Sequence, residues 1–254
     1  MYMQVTSGLS ALEKLELLRE PERKKFENKF SPFRSGTSYN VRILSFGDFE
    51  VFYQYGNFQN PQINSFTPEK LPTLNDRGIP VDNLTPFDKA YQYYKAKSEE
   101  YTDEMARKAN VYKLKTQMAA IFYDLDQEKF ILVGFTKNQG LEIAEAIKKN
   151  EKKLDKKAFR LSKEGTGTNT KVSLDVLDLE DYDLTEKQIK AFENAPKEVD
   201  RSLFEDYLFI KDEAQMLETL KESFDVTLIG YGETAKPNAD EIESVEVEDD
   251  SVPF

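Results

Sequence analysis

Between Asn110 and Phe135 the chain reads NVYKLKTQMAAIFYDLDQEKFILVGF, and polar and apolar positions alternate where this stretch begins. Lys113, Lys115 and Gln117 interleave with Leu114, Thr116 and Met118. Side chains two apart share one face of a strand, so this period predicts a strand with one apolar face and one face of amines and an amide. A polar turn at Asp124-Leu125-Asp126 and a second apolar run to Phe135 complete a hairpin. Tyr112, Phe122, Tyr123 and Phe130 add rings nearby. A basic, aromatic sheet face can follow phosphates with its ammonium groups and stack bases on its rings. A plain half-buried hairpin with solvated lysines is the ordinary alternative, because antiparallel sheets commonly turn a charged face to water.

The same patterns predict the other elements. Residues 7–20 carry Ala11, Leu12, Leu15 and Leu18 at helical steps, with capping-box spacing at Ser10 and Glu13 and a stop at Pro21. A polar stretch follows, so this helix reads as an arm. Residues 36–58 predict two strands around a turn at Gly47-Asp48, with Tyr53, Tyr55 and Phe58 near a second turn and expected to be exposed. Five prolines across 59–86 predict a long irregular connection. Residues 87–109 read as one helix, and 138–157 as another with Leu141, Ala144 and Ile147 inward. Strands are expected at 159–163 and 171–177, helices at 185–194 and 212–223, and a last strand at 225–232.

Charge changes this picture through its distribution. The net charge is −12, yet residues 107–171 hold 15 Lys+Arg against 8 Asp+Glu, and residues 172–254 hold 7 against 24. A basic middle is followed by a strongly acidic end. The hairpin expected at 159–177 brings Arg160, Lys163 and Lys171 to one end, around the flexible loop 164–170. From about Glu233 the chain is acidic and poor in large residues, a composition that stays disordered.

Composition also removes whole classes of chemistry. There is no cysteine and no histidine, which excludes disulfides, thiol nucleophiles, Cys/His zinc sites and His-based acid–base catalysis. GTGTNTK at 165–171 departs from the phosphate-loop pattern, since Lys171 is followed by Val172 and a strand. The acids between Asp175 and Asp183 lack the glycine and the bidentate glutamate of a calcium loop. No metal site, cofactor or catalytic constellation is expected. No long apolar run predicts a membrane span, no secretion signal is legible, and the lack of cysteine fits a reducing compartment.

The last residues, Asp249-Asp250-Ser251-Val252-Pro253-Phe254, resemble the C-terminal tip of bacterial single-stranded-DNA-binding proteins. The body resembles the phage helix-destabilising, single-stranded-DNA-binding family, through YNVRILSF (39–46), RKANVYKLKTQMAAIFYD (107–124), EKFILVGFTKNQGLEIAEAI (128–147) and FRLSKEGTGTNTKVSLD (159–175). The resemblance covers roughly half the chain. Well-known members carry a zinc site, which this chain has no Cys or His to build. The resemblance implies an α+β fold with an OB-fold-centred β-barrel core (35–232), accessory helices, an N-terminal self-association arm (1–34) and a disordered acidic tail (233–254). It implies a non-enzymatic protein that binds and protects single-stranded DNA in replication, recombination and repair, in the cytoplasm of a host cell. Joined to the reading of the residues, it assigns phosphate contacts to Arg42, Lys113, Lys115, Arg160, Lys163 and Lys171, and base stacking to Tyr53, Tyr55, Tyr112 and Tyr123. Asp249, Asp250, Val252, Pro253 and Phe254 would recruit partner enzymes. The alternative from another class is an acidic protein-interaction adaptor or DNA mimic, which the negative total charge favours.

Overall fold

The computed structural model describes residues 28–45, 48–56, 65–154, 156–178 and 183–231. The expected arm helix at 7–20, Phe58 and the acidic tail lie outside the described residues. In chain order the strands are β1 (Thr37–Arg42), β2 (Phe49–Gly56), β3 (Ser65–Pro68), β4 (Thr73–Leu74) and β5 (Pro80–Asp82). Helices α1 (Pro86–Lys95) and α2 (Glu104–Tyr112) precede the central hairpin, β6 (Lys115–Asp124) and β7 (Lys129–Thr136). Helix α3 (Lys137–Lys149), strands β8 (Ala158–Glu164) and β9 (Lys171–Leu177), helix α4 (Glu186–Asn194), strand β10 (Ile210–Lys211) and helix α5 (Glu213–Lys221) follow. No helix among the described residues is long and apolar enough to cross a membrane.

The result is a mixed α+β fold around a large, mostly antiparallel sheet, in the order β10-β3-β2-β6-β1-β8-β9, with β7 on the other edge of β6. Strand β6 holds it together. Its first half pairs with β2, from Phe49↔Ala120 to Gln54↔Lys115. Its last residues pair with β1, Val41↔Asp124 and Arg42↔Tyr123. Because β7 occupies the opposite edge from Gln117 to Asp124, β1 and β2 share one edge of β6 in succession. The expected closed barrel is not formed among the described residues: β7 and β9 do not pair, and α3 packs against both instead.

Helix α3 covers what we term the inner face. Ile143 and Ile147 enter a core with Val41, Phe122, Val133, Phe159, Leu161 and Leu174. The opposite, outer face is covered too. Helix α4 brings Ala191 and Phe192 onto Tyr123, Ala158 and Leu177. The segment 199–208 lays Leu203, Phe204 and Tyr207 over Phe52, Ala119, Ile121 and Leu132. Residues Met118 to Asp124 of β6 are consequently all buried. A third core, under α1, α2 and α5, gathers Tyr55, Phe66, Phe87, Tyr112, Met216 and Leu220.

Local chemistry explains most boundaries. Thr85 caps α1 in a reciprocal box with Asp88, with a proline in the first turn. Thr136 with Gln139, Thr185 with Gln188, and Asp212 with Gln215 repeat the box on α3, α4 and α5. The helix expected over 87–109 is two helices, because Asp103 accepts from the amides of Glu99, Glu100 and Ala106 and starts a new one. Part of the expected irregular connection is sheet: β3 pairs with β2 through Tyr55↔Phe66, and β4-β5 turn on Asn75 and Gly78. The strand expected at 225–232 is a 3-10 turn, 226–229, ended by Gly230 at φ 85°.

The inward stripe of α3 is Gly140, Ile143 and Ile147; Leu141, expected inside, is 53% exposed. A Cβ at Gly140 would lie 2.9 Å from the Cβ of Met118, which cannot swing away. Gly140→Ala should therefore destabilise the fold by about 1–3 kcal/mol through overpacking, although a glycine-to-alanine change inside a helix ordinarily stabilises by about 1 kcal/mol. Urea unfolding checks this, and a more stable variant would mean that α3 does not seat on Met118.

Candidate nucleic-acid interface

The outer face is not covered everywhere. At the limit of the cover that Tyr207 lays on Phe52, three strands stand in register as a row, Phe52↔Gln117↔Thr136. One step along, Gln54 stands opposite Lys115 on the same face. This row is the floor of an open cleft of about 290 Å³. Ser65, Phe66 and Thr67 of β3 form one wall, with Tyr207, Leu208 and Phe209. Asn28, Phe30, Ser31 and Phe33 form another, and Gln139 and Lys163 stand at the rim. The chain at Phe30 bridges to Leu132 and lays its ring against Gly134, where a Cβ would approach that ring to 3.2 Å.

Rings and charges near the floor are ordered by burial. Phe30, Phe52 and Tyr207 form a triangle with centroids 5.6 to 6.2 Å apart. The Tyr207 hydroxyl donates to Glu50 at 3.2 Å, and burial first, then that carboxylate, pushes its pKa well up. Arg201 lies 3.5 Å from Asp48 and 3.7 Å from Glu50, which anchors the 201–204 turn to β2. At the rim, Lys163 Nζ sits 5.4 Å from the Phe33 ring centroid, and loss of water lowers its pKa. Lys163 is the one charged side chain among the described residues that line the cleft. The surface thus offers ring edges, amides, hydroxyls and a cation, which suits a flat, hydrogen-bonding, anionic ligand.

The residues expected to bind do not form one surface. Lys113 is exposed just after α2, and Lys115 is exposed on the outer face beside the cleft. Arg160 and Lys171 also point to the outer face, but beyond the cleft on β8 and β9, opposite Asp175 and Glu164. Lys163 leaves β8 on the face opposite to Arg160 and Lys171 and lines the cleft rim beside Phe33 and Phe135, so the 164–170 loop does not gather the three; strand alternation separates them. Arg42 is structural. Its guanidinium donates to the Phe192 carbonyl at 2.6 Å and lies 4.5 Å over the Phe192 ring, and its Nε is buried with no hydrogen-bond partner among the described residues.

Three of the four expected stacking tyrosines are core residues. Tyr112 closes α2 rather than opening a strand, and its hydroxyl donates to the Ser223 carbonyl at 3.1 Å. Tyr123 is 7% exposed and packs edge-on to Phe130. Tyr55 is fully buried between Phe66 and Phe87. Tyr53 alone keeps partial exposure, on the inner side against the third core. The tail residues Asp249, Asp250, Val252, Pro253 and Phe254 lie outside the described residues. The reading from sequence missed Gln54, Phe30, Tyr207 and Phe209. Gln54 follows the alternation of β2 and was legible there; the three rings come from distant segments and gave no local signal.

No family model matches the chain, and neither does any curated protein or solved structure.

Buried Tyr55 generates a pH dependence. Its hydroxyl is 2.8 Å from Thr85 Oγ1, and the Asp88 carboxylate accepts from the Thr85 amide at 3.0 Å and hydroxyl at 2.9 Å. Burial holds the Asp88 carboxyl above its ordinary value. The folded state then keeps this proton at a pH where the unfolded chain has lost it. Stability is lost as pH rises from the ordinary carboxyl value of about 4 through the folded one, and is level above both. Relative to Asp88→Asn, the wild type should lose unfolding free energy across that window, in urea titrations at successive pH values. A difference that does not vary with pH would show that the carboxyl titrates alike in both states.

Proposed function

We propose that this protein is a non-enzymatic, sequence-independent binder of single-stranded DNA, and that the outer-face cleft is where the strand crosses. The observation that carries the reading is the position of the cleft in the strand order. If β1 and β2 are taken as one bent strand and the added strands β3 and β10 beyond β2 are set aside, the sheet runs β9-β8-β1/β2-β6-β7, with α3 joining β7 to β8. This order is compatible with an OB-fold left open along one seam, and we take it as one. In such folds, oligonucleotides cross the face of the second and third strands, between the loop joining strands one and two and the loop joining strands four and five. Here those strands are β6 and β7, the first loop is the 57–114 insertion that supplies β3, and the second begins just beyond Lys163. The cleft lies between the two.

Lys163 at the rim, Lys115 opposite Gln54 and Lys113 just ahead of β6 are cations on or beside this path, within a region whose net charge is +7 (15 Lys+Arg against 8 Asp+Glu over 107–171). Three phosphate contacts on a single strand imply a log–log salt slope of about −2. Lys115→Ala with Lys163→Ala should reduce that slope by roughly 1 to 1.5. Fluorescence titration of a labelled oligonucleotide at several salt concentrations measures it. An unchanged slope would place the strand elsewhere, and a protein that passes through single-stranded-DNA cellulose would favour the acidic adaptor or DNA mimic.

The acidic segment fits a second role in the same process. Asp249, Asp250, Val252, Pro253 and Phe254 would recruit replication and recombination enzymes, and residues 1–34 would mediate self-association on DNA. Removing Phe254 deletes a ring and keeps the acids, so oligonucleotide affinity should stay constant while capture of replication proteins in a pull-down is lost. Retention of every such protein by the shortened chain would overturn the tail assignment.

A further inference from the structure

The cleft has features that a track for phosphates does not need. Gln54 and Gln117 are half-buried on its floor, and their side-chain amides have no hydrogen-bond partner among the described residues. Each amide offers two donors and an acceptor oxygen. A ligand that displaces water from them must replace those bonds or lose affinity. The flat rings Phe52 and Tyr207 flank the floor, and Lys163 is the charge at the rim. A volume of about 290 Å³ sits at the bottom of the range of small-molecule pockets, roughly 300–1,000 Å³. That is room for one heterocycle and not for a run of stacked bases.

We propose that the cleft takes a single nucleobase turned out of the bound strand, its polar edge held by the amides of Gln54 and Gln117 and its own phosphate facing Lys163. This rests on the single-stranded-DNA reading and adds to it a base contact distinct from phosphate tracking. Across three strands spaced about 4.8 Å apart, the row Phe52↔Gln117↔Thr136 spans roughly 10 Å. A flat ring placed along that row meets an aromatic edge, an amide and a hydroxyl in turn. The chemistry also explains how such a site would stay indifferent to sequence. A glutamine amide reverses donor and acceptor by turning about its last torsion, so the same two side chains satisfy the edge of any base.

The test compares an oligothymidylate with an abasic strand of equal length, which keeps every phosphate, by fluorescence anisotropy on the full chain. Base contacts of this kind are worth about 1–3 kcal/mol, so the abasic strand should bind roughly 5- to 150-fold more weakly. One thymine placed within the abasic strand should restore most of the difference. Gln54→Ala with Gln117→Ala should shrink the preference for the base and leave abasic binding and the salt slope as they are. Equal affinity for both strands, or affinity that climbs evenly with each added base, overturns the proposal while single-stranded-DNA binding stands. Equal weakening by the glutamine variant on both strands does the same. Failure to bind either strand overturns both readings together. The wild-type comparison needs no variant, so it decides even if the double substitution disturbs folding.

Discussion

Burial of β6 on both faces, with two strands sharing one of its edges, is the constraint on which the rest of this structure depends. A strand covered on one side can carry charges on the other. A strand covered on both sides must be apolar throughout, and Met118 to Tyr123 is an unbroken apolar run. Asp124 ends the run as a buried acid, and its carboxylate is satisfied by the amides of Asp126 and Gln127 and by the Gln127 side chain. Once β6 is central, β1 and β2 must divide its free edge. The Asp48 carbonyl keeps the ladder ahead of β2 by accepting from the Ile121 amide at 3.1 Å.

The same constraint decides where the surface can do chemistry. Covering the outer face of β6 and β7 uses α4 and the 199–208 segment, and these exhaust themselves before Gln117. What remains uncovered is the end of the hairpin nearest Lys115. Here the segment at Phe30, the wall from β3 and the turn at Tyr207 enclose a cleft without filling it. Gly134 lets the Phe30 wall approach the sheet, since a Cβ there would lie 3.2 Å from that ring. The polar floor of the cleft is therefore the unburied remainder of a strand whose other outer-face positions lie under the cover.

Aromatic residues and cations are divided by this architecture in a way their density in the sequence does not reveal. Tyr55, Tyr112 and Tyr123 complete cores, and the hydroxyls of Tyr55 and Tyr112 meet Thr85 and the Ser223 carbonyl. Arg42 joins β1 to α4 by a charge-assisted hydrogen bond and a ring contact. Lys163, by contrast, comes to the rim of the cleft although its neighbours along β8 serve the sheet. A cation is useful for recognition only where the strand period and the end of a covering layer coincide.

Much of the fold was legible before any tertiary contact was known. The period-two strands at β1, β2, β8 and β9, the hairpin turn at Asp124-Leu125-Asp126 and the capped helices α4 and α5 are local, because hydrogen-bonding turns and caps act over three or four residues. Segregation of charge is likewise a property of the sequence alone. Tertiary structure decided which faces were covered. Alternation at Lys113, Lys115 and Gln117 implies two unlike faces, but it cannot say that residues 184–209, more than 60 positions later, will close over one of them. Nor can it bring Phe30 and Tyr207 to the same cleft. Burial depends on contacts between distant segments, so Tyr55, Tyr112, Tyr123 and Arg42 were misjudged from sequence, while the polar face expected of Lys115 and Gln117 is the one that the covering segments leave open.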